Sequence, residues 1–244
     1  MLTELASKVA PGVSTAELDE LAERRILRAG ATAAFKGYHG YPATICASIN
    51  DEVIHGIPSG RRMLQEGDIV SLDVGAALDG YFADSAITLA VGQVSEEAAT
   101  LLRVTEEALY KAIDRARPGA RVSDIGHAVQ THVEGHGFSV VREFVGHGIG
   151  QRMHEEPQIP NYGDAGRGPR LAEGMVLAIE PMVNAGKAAV KVLADGWTAV
   201  TRDKSLSAHF EHTVAVTAGE PWIDRKSTRL NSSHIQKSRM PSSA

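Results

Sequence analysis

Thiol chemistry is almost absent from the sequence, because Cys46 is its single cysteine. One thiol cannot form an intrachain disulfide, which fits a reducing compartment, and it excludes a zinc site built on several thiolates. No apolar run reaches the roughly 18 residues of a transmembrane helix, and the N-terminus "MLTELASKVAPGVS" lacks the features of a secretory signal. We therefore expect a cytoplasmic protein with no membrane partner.

A surplus of cationic residues is also missing, since the net charge is −5. Residues 226–244 carry four basic residues and no acidic one, so the preceding residues sum to −9. An acidic body argues against specific nucleic-acid binding. The tail is rich in Ser, has no apolar periodicity and resembles translated cloning or adaptor DNA. We expect 1–224 to form one domain and 225–244 to be a disordered, basic, non-native tail.

Capping residues and apolar spacing predict three helices. Ser14 and Glu17 form a capping box for a helix over 14–29, which Gly30 ends. Ser95 is the expected N-cap of a helix to about residue 116, and Pro118-Gly119 separates it from a helix over 122 to about 135.

Strand signals are found between and after these helices. They fall at 43–49, in a hairpin over 68–91, at 175–183, in a hairpin across Asp195-Gly196, and at 208–217. Helices combined with mostly antiparallel strand pairs indicate the α+β class, and the two halves of the chain have a similar order of elements.

The hairpin sequence "SLDVGAALDGYFADSA" contains two unexpected carboxylates. A two-residue turn at Asp79-Gly80 places Gly75 opposite Asp84, and Asp73 one diagonal step from Asp84. Since side chains alternate faces with a period of 2, both carboxylates lie on one face, about 5 to 8 Å apart at Cβ. Like charges this close require a cation between them.

Four further segments place polar, metal-competent side chains in apolar surroundings. They are "VGHGIGQRMHEEP" with His147 and His154, "MVLAIEPMV" with Glu180, "AHFEHTVAV" with Glu211, and "DEVIHGIPSG" with His55. Taken singly, each also fits a plain structural interpretation: a loop histidine, a glutamate paired with arginine, an edge strand, or a turn residue.

Together these positions give a particular donor set: Asp73, Asp84, His147, Glu180 and Glu211. Four carboxylates and one imidazole suit divalent Mn, Fe, Co or Zn. Two such ions would neutralise the four negative charges, whereas one would leave a charge of −2.

The chain resembles the type I methionine aminopeptidases, which have the pita-bread metallopeptidase fold. The resemblance rests on the segments "KGYHGYPATICASINDEVIHGIPSG", "GDIVSLDVGAALDGYFADSA", "FVGHGIGQRMHEEPQIPNYG", "EGMVLAIEPMV" and "HFEHTVAVT". It extends from about residue 10 to about residue 220. The intervals of 11 residues from Asp73 to Asp84, 33 from His147 to Glu180 and 31 from Glu180 to Glu211 fit the family. The resemblance also implies that the N-terminal helix of this chain is truncated.

The resemblance implies an enzyme that removes the initiator methionine from peptides and nascent proteins by dinuclear metal-assisted hydrolysis. Two divalent ions (Co, Mn, Fe or Zn) would be held by Asp73 on one site, by Asp84 and Glu211 as bridges, and by His147 and Glu180 on the other site. Glu180 would also be the general base, His154 would stabilise the oxyanion, and His55 would contact the substrate near the scissile amide.

The same resemblance implies a methionine pocket and certain partners. The pocket residues would be Tyr38, Tyr41, Cys46, Met153 and Trp197, with His55 and His154 also contacting substrate. Cys46 as a small buried residue and Trp197 as a hairpin aromatic would serve equally well in packing. The expected partners are N-termini beginning with Met and the ribosome, and the chain is expected to be a monomer. The alternatives are a prolidase-like dipeptidase and a non-catalytic binding module of the same fold.

Overall fold

The computed structural model describes residues 1–223. The predicted tail, 225–244, lies outside the described residues, and the single domain expected over 1–224 stays a prediction. The helices are α1 (Leu2–Ala6), α2 (Thr15–Arg28), α3 (Glu96–Ile113) and α4 (Val122–Gly135), with a 3₁₀ turn at Tyr38–Gly40. Within 1–223, none of the helices has the length and apolarity needed to span a bilayer.

The strands lie before, between and after the helices. They are β1 (Thr32–Ala33), β2 (Ile45–Ile49), β3 (Glu52–Ile54), β4 (Ile69–Leu78), β5 (Tyr81–Ala90), β6 (Ser139–Val140), β7 (Gly146–Gly148), β8 (Glu155–Ile159), β9 (Val176–Ile179), β10 (Met182–Asn184), β11 (Val190–Val192), β12 (Ala199–Thr201), β13 (Ser207–His209), β14 (Glu211–Ala215) and β15 (Trp222–Ile223).

The predicted helices are confirmed together with their capping residues. The Ser14 hydroxyl accepts a hydrogen bond from the Glu17 N–H, and the Ser14 N–H donates to the Glu17 carboxylate, so the capping box is complete. Ser95 likewise caps α3 by accepting from Ala98 N–H at 3.1 Å. These side chains satisfy helix N–H groups that otherwise have no partner, which fixes where each helix begins.

The predicted hairpin is also confirmed in its register. β4 and β5 pair so that Gly75 lies opposite Asp84, and Asp73 lies opposite Ala86. The turn residues Asp79 and Gly80 have φ of 52° and 82°. Positive φ at both central positions is the conformation whose twist matches a tight hairpin, which explains the Asp-Gly sequence there.

Two of the predicted continuous strands are wrong, because each is divided between two sheets. Residues 175–183 form β9 and β10, interrupted at Glu180-Pro181, where proline has no N–H to continue the ladder. Residues 208–217 contain the end of β13 and all of β14, interrupted at Phe210. The interruptions carry the chain from a nine-stranded sheet to a smaller one, and back.

All strand pairings between these elements are antiparallel, as the α+β prediction requires. In residues 1–223 the large sheet has the order β1-β4-β5-β14-β9-β7-β8, with β2 on β4 and β15 on β14. Two three-stranded sheets, β13-β10-β6 and β11-β12-β3, complete the fold.

The helices cover one face of the large sheet, and the alternation of side chains leaves the other face for polar residues. α3 and α4 pack on this face through a core that includes Leu177, Ile179 and Val214. α1 and α2 pack on it through a second core that includes Leu72 and Val74. Residues between these core positions therefore point away from the helices.

Candidate active site

Five consecutive strands of the large sheet each bring one predicted ligand to the face opposite the helices. Asp73 lies on β4, Asp84 on β5, Glu211 on β14, Glu180 directly after β9, and His147 on β7. These strands are neighbours in that order, although the residues are up to 138 positions apart in sequence. The sheet therefore gathers a cluster that no local segment could form.

The alternation of side chains explains why all five residues share one face. In β4, Asp73 is flanked by Leu72 and Val74, which enter the helix-facing core. In β9, Ile179 enters the core beneath α3 and α4, so Glu180 after it turns towards the cluster. Each ligand side chain therefore points to the opposite face of the sheet from the apolar side chains next to it in sequence.

The cluster is buried, and its polar atoms are close together. Ligand atoms of Asp84, His147 and Glu211 all lie within 4.8 Å of one another. His147 Nε2 lies 3.6 Å from Glu180 Oε1. Nδ1 of His147 is 2.8 Å from the Gly148 carbonyl oxygen. Donation of the Nδ1 proton to that oxygen leaves Nε2 as the free lone pair that faces the carboxylates.

The backbone at three of the carboxylates is fixed by hydrogen bonds from neighbouring side chains. The Asp84 N–H donates to Thr213 Oγ1 at 2.9 Å, and Thr213 Oγ1 donates to the Asp84 carbonyl at 2.8 Å. Ser85 Oγ donates to the Glu211 carbonyl at 2.9 Å, and Asn161 Nδ2 donates to the Glu180 carbonyl at 2.9 Å. These contacts hold the carboxylates in place before any ligand binds.

Two of the four carboxylates, Asp73 and Glu211, each have one buried oxygen, Oδ1 and Oε1 respectively, without a hydrogen-bond partner among the described residues. Burial, followed by the charge of Asp84, raises the pKa of Asp73, Glu180 and Glu211 well above the usual range. Burial also raises the pKa of Asp84 to about 6. Unpartnered oxygens among repelling carboxylates are suited to cations, so this donor set fits divalent metal ions.

The pKa shifts predict how the stability of the metal-free protein varies with pH. Four carboxyls have raised pKa values in the fold, so the folded chain binds more protons than the unfolded chain above their unfolded values near 4. Burial lowers the pKa of the histidines of the site, His55 and His147 to about 4 and His209 to about 3. These histidines act in the opposite sense, but only below about pH 6.5.

We therefore expect the metal-free protein to lose stability as the pH rises above about 6.5, where the histidines no longer oppose the effect of the carboxyls. Without metal, the temperature of the unfolding midpoint should decrease as the pH is raised from 6.5 to 8.5. This decrease should be smaller when a divalent metal is added. Equal pH dependence with and without metal would show that these carboxylates do not hold the cation.

The predicted catalytic histidines lie beside the cluster. His154 has its ring centroid 4.2 Å from that of His147, and its Nδ1 is 2.9 Å from the Tyr38 hydroxyl. Burial, followed by the charge of His39, lowers the pKa of His154, which keeps the ring neutral at pH 7. His55 lies across the pocket against Trp197, in a left-handed conformation with φ of 60°. A non-glycine residue in this region costs free energy and is common at functional sites.

A cavity of about 80 Å³ adjoins the cluster and contains every predicted site residue. Its walls are Phe35, Tyr38, Tyr41, Cys46, His55, Asp73, Asp84, His147, Met153, His154, Glu180, Trp197 and Glu211. The Tyr41 hydroxyl is used internally, since it donates to the carbonyls of Ile45 and Gly56. The wall away from the carboxylates is therefore apolar, with the polarisable sulfur atoms of Cys46 and Met153 in it.

Sequence reasoning missed two residues of the site. Phe35 lines the cavity although it lies before the segments that carried the motifs, and no pattern in the sequence distinguishes it from a core residue. His209 is buried with its Nε2 3.9 Å from Glu180 Oε2, and neither ring nitrogen has a hydrogen-bond partner within 1–223. Its position two residues before Glu211, in a run of sequence that is otherwise largely apolar, was the available signal.

Comparison with known proteins identifies the family. The profile of metallopeptidase family M24 matches residues 1–218. The chain is 58% identical over 214 residues to methionine aminopeptidase 1 of Bacillus subtilis (strain 168), covering 88% of this chain and 86% of that protein. The crystal structure of methionine aminopeptidase from Thermotoga maritima is 47% identical with a TM-score of 0.90, covering 91% of this chain and 89% of that chain.

More distant structures share the fold alone. The prolidase from Pyrococcus horikoshii OT3 has a TM-score of 0.71 at 22% identity, and this chain covers 56% of it. The similarity to the methionine aminopeptidase structures, together with the match to the family profile, confirms the predicted fold class and family. The chain therefore belongs to metallopeptidase family M24 and, within it, to the methionine aminopeptidases.

Proposed function

We propose that this chain removes the N-terminal methionine from peptides and nascent proteins by metal-assisted hydrolysis of the first peptide bond. One observation carries the proposal: five adjacent strands gather four carboxylates and an imidazole in the wall of a small cavity that is also lined by aromatic rings and two sulfur atoms. The names of the similar proteins support the same substrate.

The metal is proposed to be a pair of divalent ions, Co, Mn, Fe or Zn. Asp73 would hold one ion, Asp84 and Glu211 would contact both, and His147 with Glu180 would hold the other. The four carboxylates carry a charge of −4, which two divalent ions neutralise. Bound ions would polarise the scissile carbonyl and make water acidic enough to act as a nucleophile near neutral pH.

Glu180 is the proposed general base. Its Oε1 lies 3.6 Å from His147 Nε2 within the cluster, so the carboxylate would be close to water held by the ions and could accept its proton. The other oxygen of the carboxylate, Oε2, lies 3.9 Å from His209 Nε2. Glu180 therefore has one oxygen towards the metal cluster and one towards His209.

His154 is the proposed stabiliser of the oxyanion. If the Tyr38 hydroxyl donates to Nδ1 of His154, the neutral ring carries its proton on Nε2 and can donate it as a hydrogen bond. Such a donor stabilises negative charge that develops on the substrate oxygen during attack. His55, which is neutral at pH 7 because burial lowers its pKa, is positioned to contact the substrate at the scissile amide.

The cavity supports methionine as the first residue. Its walls combine the rings of Phe35, Tyr41 and Trp197 with the sulfur atoms of Cys46 and Met153. Burial raises the pKa of the Cys46 thiol well above its usual range, so Cys46 contributes as a small neutral residue and not as a nucleophile. An unbranched thioether matches this surface in shape and polarisability.

The same proposal covers the setting in which the enzyme acts. Its natural substrates would be nascent chains that begin with Met. The enzyme would meet these chains at the ribosome in the cytoplasm, and it would work as a monomer. Light scattering of the purified chain at micromolar concentration should give the mass of one chain, and a stable dimer would contradict that part.

The test of the proposed function uses a Met-Ala-Ser peptide and metal-depleted protein. We expect no cleavage in chelator, cleavage after a divalent metal is added, and free Met as the product by mass spectrometry. Acetyl-Met-Ala-Ser is the matched control, since an aminopeptidase requires the free amino group. Metal-loaded, folded protein that leaves Met-Ala-Ser intact would overturn the proposal, and preferential cleavage of X-Pro dipeptides would indicate the prolidase-like alternative.

A further inference from the structure

A second group of metal-competent side chains lies on the helical layer, away from the active site. It consists of Glu107 on α3, with His132 and His136 at the end of α4. Ligand atoms of the three residues lie within 4.8 Å of one another. The imidazole rings are separated by 4.6 Å, and His132 Nε2 lies 3.0 Å from Glu107 Oε2.

Each of the two histidines has a ring nitrogen within 4.8 Å of the other's and of a Glu107 oxygen. His132 and His136 are four residues apart, so they lie on one face of α4 in the spacing that helical zinc ligands use. His136 Nδ1 is 2.8 Å from the His132 carbonyl oxygen. Donation of the Nδ1 proton to that oxygen leaves the His136 Nε2 lone pair free, which is the arrangement found at metal-binding histidines.

The carboxylate of Glu107 is oriented by Arg103, which lies one turn earlier on the same helix. Arg103 Nη1 donates to Glu107 Oε1 at 3.0 Å, which leaves Oε2 directed at His132.

We propose that Glu107, His132 and His136 form a second metal site that takes one zinc ion or a similar borderline dication. Two imidazoles and one carboxylate are a common zinc donor set with a fourth position for water. Zinc–nitrogen distances of about 2.1 Å imply ligand atoms about 3.4 Å apart, which an exposed His136 reaches by a small side-chain movement. The proton on His132 Nε2 moves to Nδ1, so that Nε2 and Glu107 Oε2 both face the ion.

An ion at this position would join α3 to α4. Both helices belong to the core that covers the large sheet, so binding there stabilises the folded chain without contact with the substrate. His132 and His136 also border a surface groove of about 870 Å³, which gives a hydrated ion access from solvent. This site does not depend on the proposed peptidase activity.

The test measures zinc binding by equilibrium dialysis of the metal-depleted full chain and counts bound ions by mass spectrometry. We expect the unaltered protein to bind one more zinc ion than His136→Ala, and Glu107→Gln to weaken that ion by more than tenfold. His127→Ala is the matched control, since His127 lies on α4 outside the cluster and its Nδ1 contacts the Gly163 carbonyl. Cleavage of Met-Ala-Ser should be the same in all four proteins, which shows that each is folded.

The active site also binds metal, so the comparison is repeated in the Asp84→Asn background. In that background, the protein with His136 should still bind one more zinc ion than the protein with His136→Ala. Zinc should also raise the midpoint of thermal unfolding by a smaller amount when His136 is replaced. Equal zinc numbers and affinities with and without His136, in either background, would overturn the second site. Loss of an ion in His127→Ala as well would place the ion elsewhere and would also overturn it.

Discussion

Asp84→Asn is expected to reduce cleavage of Met-Ala-Ser by more than about 100-fold and to lower the number of bound metal ions. Outer contacts of a metal site typically change affinity or activity by 10- to 100-fold, so a residue proposed to contact both ions should exceed that range. Asparagine keeps the shape of the side chain and removes its charge. The measurements are kcat/KM and metal content on the same preparation.

The same substitution is expected to stabilise the metal-free protein against unfolding. Four buried carboxylates repel one another, and burial raises the pKa of Asp84 to about 6. Removing one charge should therefore raise the thermal midpoint of metal-free protein at pH 7.5, while the gain on adding metal becomes smaller. A purely structural role for Asp84 would lower stability in both states, and normal metal content with normal turnover would refute the bridging assignment.

Asp79→Asn provides the matched control within the same hairpin. Asp79 is exposed at the turn with φ of 52°, a conformation that asparagine adopts readily. We expect its metal content and kcat/KM to equal those of the unaltered protein. A comparable loss in Asp79→Asn would mean that any change in hairpin charge disturbs the site.

Local sequence signals predicted the parts of the site that depend on local rules. The Asp79-Gly80 turn sets the register of the hairpin. With side chains that alternate faces with a period of 2, this register places Asp73 and Asp84 on one face. The Ser14 and Ser95 caps likewise located the starts of α2 and α3. In each case a few neighbouring residues determine the geometry.

Long-range geometry could not be predicted in the same way. Phe210 separates β13 from β14, and nothing in the neighbouring sequence indicates that the chain passes there between two sheets. Phe35 lines the cavity because β1 pairs with β4, a contact between residues 43 or more positions apart. The five-strand order that gathers the ligands has the same origin, and the resemblance to a family supplied what the residues alone left open.

His154→Ala is expected to lower kcat for Met-Ala-Ser by about 100- to 1,000-fold, the usual effect of removing one oxyanion donor. KM and metal content should change little, because the lost hydrogen bond forms mainly in the transition state. Tyr38→Phe should cause a smaller loss of kcat, since it removes only the hydroxyl that lies 2.9 Å from His154 Nδ1. His127→Asn, which lies on α4 and does not line the cavity, is the control and should retain full activity.

Metal content decides between two roles for His154, because its ring lies 4.2 Å from that of His147. Loss of kcat with all ions retained supports a direct contact with the reacting carbonyl. Loss of ions together with kcat would instead make His154 a support for the His147 ring, and the oxyanion role would then be withdrawn. Tyr38→Phe separates these cases further, since a residue that only orients the His154 donor should lower kcat without changing the metal affinity at His147.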